Sequence, residues 1–153
     1  MKLEMELIPE TTWYMNLRKY LSYNGWEEVR KFVLERAGNR CEICGAKDIE
    51  LDCHEVFDFN EATSTQTLVG VMALCKLCHG VKHIGHAKSS GSFYTVARHM
   101  AKINGITYQE AVQKINDGFA LWKFRSRKTW KVDLNTWLKF YCDQKGVPHA
   151  DTF

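Results

Sequence analysis

The chain has 153 residues, of which 45% are hydrophobic and 25% are charged, and its net charge is +3. This composition is typical of one globular domain with its own core. No apolar run approaches the roughly 20 residues that a transmembrane helix requires, so the sequence predicts no such helix.

The first seven residues include two glutamates and lack an apolar signal segment, which favours a cytoplasmic location. In that compartment the six cysteines are expected to be zinc ligands or buried thiols rather than disulfides. Cys53 and Cys142 lie apart from the other four, and we predict both to be buried small hydrophobic residues.

The N-terminal third of the sequence predicts two helices. Residues 10–23 carry large apolar side chains at spacings of four and three, which indicates a first helix, and Asn24-Gly25 is predicted to end it. A second helix is predicted from Trp26 to Ala37, and it leads the chain to Cys41.

The middle of the sequence predicts a small hairpin. Strand-type residues favour one short strand near 48–54 and another near 55–59 or 67–70. The polar residues 60–66 are predicted to form the loop. A helix is then expected from about Lys76 to His83.

Three helices are predicted after Gly91. The first covers residues 92–103, and the second begins at Thr107, where Thr107 and Glu110 form a capping-box pattern. The third covers about 133–144, with Asp133 as a plausible N-cap.

The predicted fold class is α+β, with a small ββα centre surrounded by helices at both ends. We expect one domain over 1–153, made of an N-terminal helix at 10–23, a core at about 26–88 and a C-terminal helical extension at 92–145.

Two Cys-x-x-Cys pairs, Cys41-Cys44 and Cys75-Cys78, are the most specific motif in the chain. Four thiolates in two short pairs are typical of a closed tetrahedral zinc site with a structural role. We therefore predict one structural Zn²⁺, which would join the start of the hairpin to the start of the following helix.

Three histidines lie close to these pairs in the sequence. His79 and His83 are at positions i and i+4, which would place both rings on one face of a helix. His54 belongs to the hairpin, from which it could approach that face. Three imidazoles with open positions are typical of a catalytic metal site.

The stretch Leu51-Asp52-Cys53-His54-Glu55-Val56, with Ala73-Leu74-Cys75-x-x-Cys78-His79 and the preceding Cys41-x-x-Cys44, resembles the HNH endonucleases of the zinc-knuckle type. The resemblance covers about residues 26–88. Its flanks are similar to bacterial and bacteriophage members. It implies a ββα-metal hairpin with one divalent ion, Mg²⁺, Mn²⁺, Ni²⁺ or Zn²⁺, at which a histidine activates water for phosphodiester hydrolysis.

Matched to the family pattern, His54, His79 and His83 take the positions of the metal ligands. The position of the histidine base holds Glu55, and the family asparagine falls near Gly70. The resemblance therefore implies His54, Glu55 and His79 as catalytic residues. A shift of one residue would make His54 itself the base.

Three roles stay open for Glu55. It could accept a proton as the base, although a reference pKa of about 4.3 makes a carboxylate a weaker base than histidine. It could instead orient a metal-bound histidine through a hydrogen bond. It could also be an inert surface residue.

Residues 122–131 interleave five cations with three aromatic side chains. The cations could contact phosphates and the aromatic rings could stack on bases. The competing interpretation is that the rings belong to the core and the cations are solvated.

The sequence favours a metal-dependent endonuclease that acts on DNA, with RNA or a protein as other possible partners, no membrane partner and an unknown oligomeric state. The alternative is a non-catalytic HNH-like zinc-binding module that binds a nucleic acid or a protein, encoded by a phage in one version of this hypothesis. A third interpretation is an unrelated zinc-ribbon accessory subunit.

Overall fold

A long antiparallel hairpin forms the centre of the computed structural model, which describes residues 1–147. Its strands are β1 (Leu51–Asn60) and β2 (Thr65–Cys75). Leu51 pairs with Cys75 at the open end, and a bulge interrupts the register between Val56 and Phe57. At the closed end the Asn60 side chain accepts hydrogen bonds from two amides of the turn, which favours the reversal of the chain.

The hairpin differs from its prediction in length. Of the two positions predicted for the second strand, 67–70 lies within β2, whereas 55–59 was wrong because every residue from 51 to 56 pairs with β2 and the bulge keeps β1 continuous. The loop is also shorter than the predicted 60–66, since Thr65 and Gln66 already belong to β2.

A third strand, β3 (Lys131–Asp133), pairs in parallel with β2 and completes a sheet of order β1-β2-β3. This strand lies within the helical extension predicted over 92–145, between its last two helices, and was not predicted. Three residues are too few to show a strand periodicity in sequence. The strand is fixed by tertiary contacts: the amide of Lys131 donates to the Ser64 carbonyl, and Trp130 packs edge-on against Phe59.

The predicted helix over 10–23 was also wrong. The segment contains a short 3₁₀ helix (Glu10–Thr12) and a single-turn helix α1 (Leu17–Tyr20). Leu21 has an extended backbone, and Ser22 then caps the next helix, α2 (Tyr23–Arg36), by accepting from the Gly25 amide. Asn24-Gly25 thus lies in the first turn of α2, because the strong N-cap precedes it.

Five further helices follow the hairpin within residues 1–147. The capping box at Thr107 and Glu110 is present as predicted. A short additional helix follows the one predicted to end at His83, and Asp133 accepts from the Thr136 amide at the start of the last helix. The helices are α3 (Lys76–Lys82), α4 (Ile84–Ser90), α5 (Phe93–Asn104), α6 (Tyr108–Ser126) and α7 (Asn135–Lys145).

One continuous hydrophobic core joins the sheet to these helices. Side chains from α2, α5, α6 and α7 meet β2 there, and Tyr141 of α7 packs edge-on against Phe32 of α2. The N-terminal strand-like segment is held by Leu3, which is fully buried, and by Asn104, whose side chain bonds to the backbone of Lys2 and Leu3. This anchoring fixes the position of Glu6.

The structure confirms an α+β fold with a small three-stranded sheet surrounded by helices. Among residues 1–147 there is no helix with the length and apolar character that crossing a bilayer would take.

Candidate metal centres

The four cysteines of the two knuckles come together at the open end of the hairpin. Their sulfur atoms form one cluster that could hold a metal ion such as zinc. Cys75 ends β2, and its side chain caps α3, where Cys78 lies one turn further on. The Sγ atoms of Cys44 and Cys75 are 3.7 Å apart. Two sulfurs bound at about 2.3 Å to one tetrahedral ion lie about 3.8 Å apart, so the spacing fits a shared zinc.

The first knuckle is attached to the outer side of β2 through Glu42. The amide of Glu42 donates to the carbonyl of Ala73, and its carboxylate accepts from the Ala73 amide at 2.6 Å. Arg36 contacts both that carboxylate and the Val71 carbonyl. These bonds hold Cys41 and Cys44 opposite Cys75 before any ion is bound.

The thiol environments differ in the absence of an ion. Burial opposes ionisation of Cys41, yet backbone hydrogen bonds from the knuckles lower its pKa to about 7. Burial and the neighbouring thiolates raise the pKa of Cys78. His99 of α5 lies 3.2 Å from the Cys78 sulfur and can donate its Nε2 proton to a metal-bound thiolate. Cys53 is half-buried and Cys142 is buried, and neither belongs to the cluster.

The three predicted histidines also form a cluster. Their ligand atoms lie within 4.8 Å of one another, with His54 on β1, His79 on α3 and His83 at the end of α3. His83 is the C-cap residue of α3, so it lies at the end of the helix and not within it as predicted. The ring centroids of His79 and His83 are nevertheless only 4.6 Å apart. The structure thus brings all three rings to one point.

Each hydrogen-bonded nitrogen in this cluster has a distinct partner. The Nδ1 atom of His54 lies 3.2 Å from His83 Nε2, and its Nε2 atom lies 3.1 Å from a carboxylate oxygen of Glu6. His79 directs Nδ1 at Asp52, 2.9 Å away, which leaves its Nε2 available. Carboxylates behind metal-binding imidazoles are the usual arrangement in proteins because they fix the tautomer and increase ligand basicity.

These contacts fit a divalent ion held by the three imidazoles. Two nitrogens bound to one tetrahedral Zn²⁺ at 2.0–2.1 Å lie about 3.3 Å apart, close to the 3.2 Å between His54 and His83. Desolvation and the neighbouring imidazoles lower the pKa of His83 to about 4, and desolvation also lowers the pKa of His79. Both rings are therefore neutral near pH 7, as metal ligands must be.

Sequence reasoning missed Asp52 and Glu6. Asp52 could have been found, because it lies two residues before His54 and strand periodicity places both on one face. Its carboxylate also binds Lys76 at 2.8 Å, and this contact together with His79 lowers its pKa against the opposing effect of burial. Glu6 gave no local signal, since it reaches His54 across 48 residues.

Glu55 neighbours His54 in the chain but does not contact the histidines. Its Oε1 accepts the amide hydrogen of Leu17, at the start of α1, with a 2.6 Å separation. Burial raises the pKa of Glu55 to about 7, although the Leu17 bond and the charge of Arg18 act in the opposite direction. Of the roles left open for Glu55, orientation of a histidine is performed instead by Glu6 and Asp52.

A cavity of about 850 Å³ connects these groups, and both Glu55 and the three histidines line it. Its walls come from the N-terminal segment, α2, β1 and α4, and they include Arg18, Arg30 and Lys88. Gly70, at the position of the family asparagine, pairs with Val56 beside the bulge, where a Cβ atom would meet nothing within 4 Å. Steric constraint therefore does not explain that departure.

The interleaved segment 122–131 follows the competing interpretation in part. Trp130 is buried, and the indole of Trp122 donates to the Ile8 carbonyl. Arg125 and Lys128 both pair with Glu61, at 2.6 Å and 3.6 Å. Two of the three rings and two of the five cations are thus engaged within the fold, whereas Phe124 is 48% exposed.

Comparisons with protein-family models, curated proteins and solved structures gave no match for this chain. Inferences about its function therefore depend on the geometry of the two centres.

Proposed function

We propose that this protein is a divalent-metal-dependent endonuclease of the HNH type, which hydrolyses phosphodiester bonds in DNA. The observation that carries the proposal is the three-imidazole cluster, in which His54 and His79 each have a carboxylate behind the ring, at the wall of an open cavity. The hairpin followed directly by α3 supplies the ββα arrangement expected for such a site.

The residues divide into three roles. His54, His79 and His83 would hold the ion, with Glu6 and Asp52 orienting the first two rings. When bound, a divalent ion would supply positive charge against the scissile phosphate and the leaving oxygen. The cysteine cluster would hold a structural Zn²⁺ that fixes β2 and α3 relative to each other.

Glu55 is the best candidate for the general base. Its carboxylate lines the same cavity, and Leu17 anchors one of its oxygens while the other can accept a proton from water. A base is most effective when its pKa lies near the working pH, and burial gives Glu55 that property. His54 cannot act as the base while both of its nitrogens are engaged.

A cleavage assay on supercoiled plasmid and on single-stranded circular DNA, each with Mg²⁺, Mn²⁺, Ni²⁺ and Zn²⁺, tests this proposal. We expect cleavage only with added metal, and we expect His79→Ala to abolish it while zinc bound to the cysteines stays at one per chain. His86→Ala is the matched control, because His86 lines the cavity but lies outside the histidine cluster. Cleavage that survives His79→Ala would refute the assignment of the site.

A non-catalytic binding module remains the second candidate, because Glu55 and Gly70 replace the histidine and asparagine that the family pattern has. Absence of cleavage with all four metals, together with measurable binding of DNA, would favour this candidate.

A further inference from the structure

Exposed aromatic side chains are concentrated on one short segment beside the cavity. Among residues 1–147, seven aromatic side chains are strongly exposed, and four of them fall between residues 13 and 23. We call these four the aromatic face: Trp13 (57% exposed), Tyr14 (76%), Tyr20 (55%) and Tyr23 (79%). So dense a group of exposed rings is unusual for a surface with no partner.

Two members of the aromatic face, Trp13 and Tyr23, border the cavity that holds the histidines or the depression beside it. Trp13 lines that cavity together with His54 and Glu55. Tyr23 lines a shallower depression next to it, and Arg18, Trp26 and Arg30 belong to the walls of both. A chain-like ligand could therefore pass from the aromatic face to the metal-binding residues without crossing another part of the surface.

The cations on this wall complement a polyanion. Arg18 lies over the Trp26 ring at 5.6 Å, and neither Arg18 nor Lys19 forms an ion pair within the described 1–147. Arg30 forms one ion pair among residues 1–147, with Glu27 at 3.5 Å. In the segment 122–131, by contrast, Arg125 and Lys128 are already paired with Glu61, and Phe124 is the one strongly exposed ring. The mixture of accessible rings and accessible cations is the one that proteins use for unpaired nucleic acid strands.

We propose that the aromatic face binds single-stranded nucleic acid and leads it to the histidine site, so that the substrate is a single strand or an unpaired region. This inference deepens the proposed function and rests on it. A duplex hides its base faces within the helical stack and would leave these rings without a stacking partner. A single strand offers a base to each ring and its phosphates to Arg18, Lys19 and Arg30.

Fluorescence anisotropy without added divalent metal separates binding from cleavage. The probes are fluorescein-labelled oligo-dT and oligo-rU of about 12 nucleotides, within the usual site sizes, and a hairpin duplex of matched length. The variants are Trp13→Ala and Tyr23→Ala, with Tyr94→Ala as the control. Tyr94 is also exposed (59%), but it lies on α5 against Tyr108. Thermal melting verifies that all three variants fold.

We expect tighter binding of at least one single strand than of the duplex, and the dT and rU arms distinguish DNA from RNA. Each of the two aromatic-face variants should weaken binding of that strand about 5- to 150-fold, whereas Tyr94→Ala leaves it unchanged. Preference for the duplex, equal binding by folded variants and wild type, or no binding of any probe would overturn the proposal. Single-strand binding by a protein that cleaves nothing would refute the proposed function and the substrate part of this inference, and would leave standing only that the aromatic face binds a single strand.

Discussion

Replacement of Glu55 by glutamine should stabilise the protein and inactivate it. The carboxylate is half-buried on β1, and its pKa is raised from 4.5 to about 7 by burial. Glutamine has nearly the same shape, and its carbonyl oxygen can still accept the hydrogen bond from Leu17. The substitution therefore removes the cost of holding a charge in this position and changes little else.

The magnitude follows from the raised pKa. A raised carboxyl pKa means that the folded protein binds the proton more tightly than the unfolded chain does. The favourable contribution of this proton binding to the free energy of unfolding is complete below about pH 4.5 and is lost as the pH rises through about 7. At about 1.4 kcal/mol per pKa unit, the ionised carboxylate costs up to about 3 kcal/mol of folding free energy at about pH 8.

Urea unfolding at several pH values tests this expectation. The protein should carry zinc at the cysteines and no metal at the histidines. Glu55→Gln should exceed wild type by up to about 3 kcal/mol at about pH 8 and by little near pH 4. Asp58→Asn is the control, since Asp58 is exposed on the same strand. Nuclease activity should fall about 10²- to 10⁴-fold in Glu55→Gln alone. Equal or lower stability at high pH, or retained activity, would refute the reasoning.

Three further outcomes are expected. Cys75→Ala should lose the tightly held zinc and unfold at a lower temperature, whereas Cys53→Ala, outside the cluster, should keep its zinc. Elemental analysis measures the bound zinc, and calorimetry measures the unfolding temperature. Retained zinc in Cys75→Ala would contradict the assignment of the cysteine site. Asp52→Asn should weaken metal binding at the histidines about 10- to 100-fold by calorimetric titration, whereas Asp58→Asn should not. Thr107→Ala should cost about 1 kcal/mol of unfolding free energy because it removes the cap of α6, and an unchanged urea midpoint would contradict this.

The clustering of the four cysteines and of the three histidines was predictable because its signals are local. The cysteine spacing contains the knuckle geometry, and the helix that follows Cys75 places His79 beside the cluster whatever the rest of the chain does. His54 needed only the hairpin. Of the two carboxylates behind the rings, Asp52 could be predicted from strand alternation. Glu6 could not, because its position depends on an N-terminal segment that Asn104 of α5 anchors.

The errors in the fold have a common physical cause. β3 forms because Trp130 and Lys131 contact the hairpin. Residues 10–23 are mostly irregular because they bond to other elements, the Thr12 hydroxyl to Gln66 of the hairpin and the Glu10 amide to Ser126 of α6. Helical spacing of apolar residues cannot report such contacts. As a result, four strongly exposed aromatic rings lie at 13–23, whereas at 122–131 Phe124 alone is strongly exposed and Glu61 pairs with Arg125 and Lys128.

The claim on which the function depends is that the three histidines hold a divalent ion separate from the cysteine zinc. Anomalous diffraction from crystals soaked in Ni²⁺, recorded at the nickel and zinc edges, tests it directly. We predict a nickel peak shared by His54 Nδ1, His79 Nε2 and His83 Nε2, and a zinc peak among the four cysteines. A metal peak at the cysteines alone, at saturating nickel, would contradict the account.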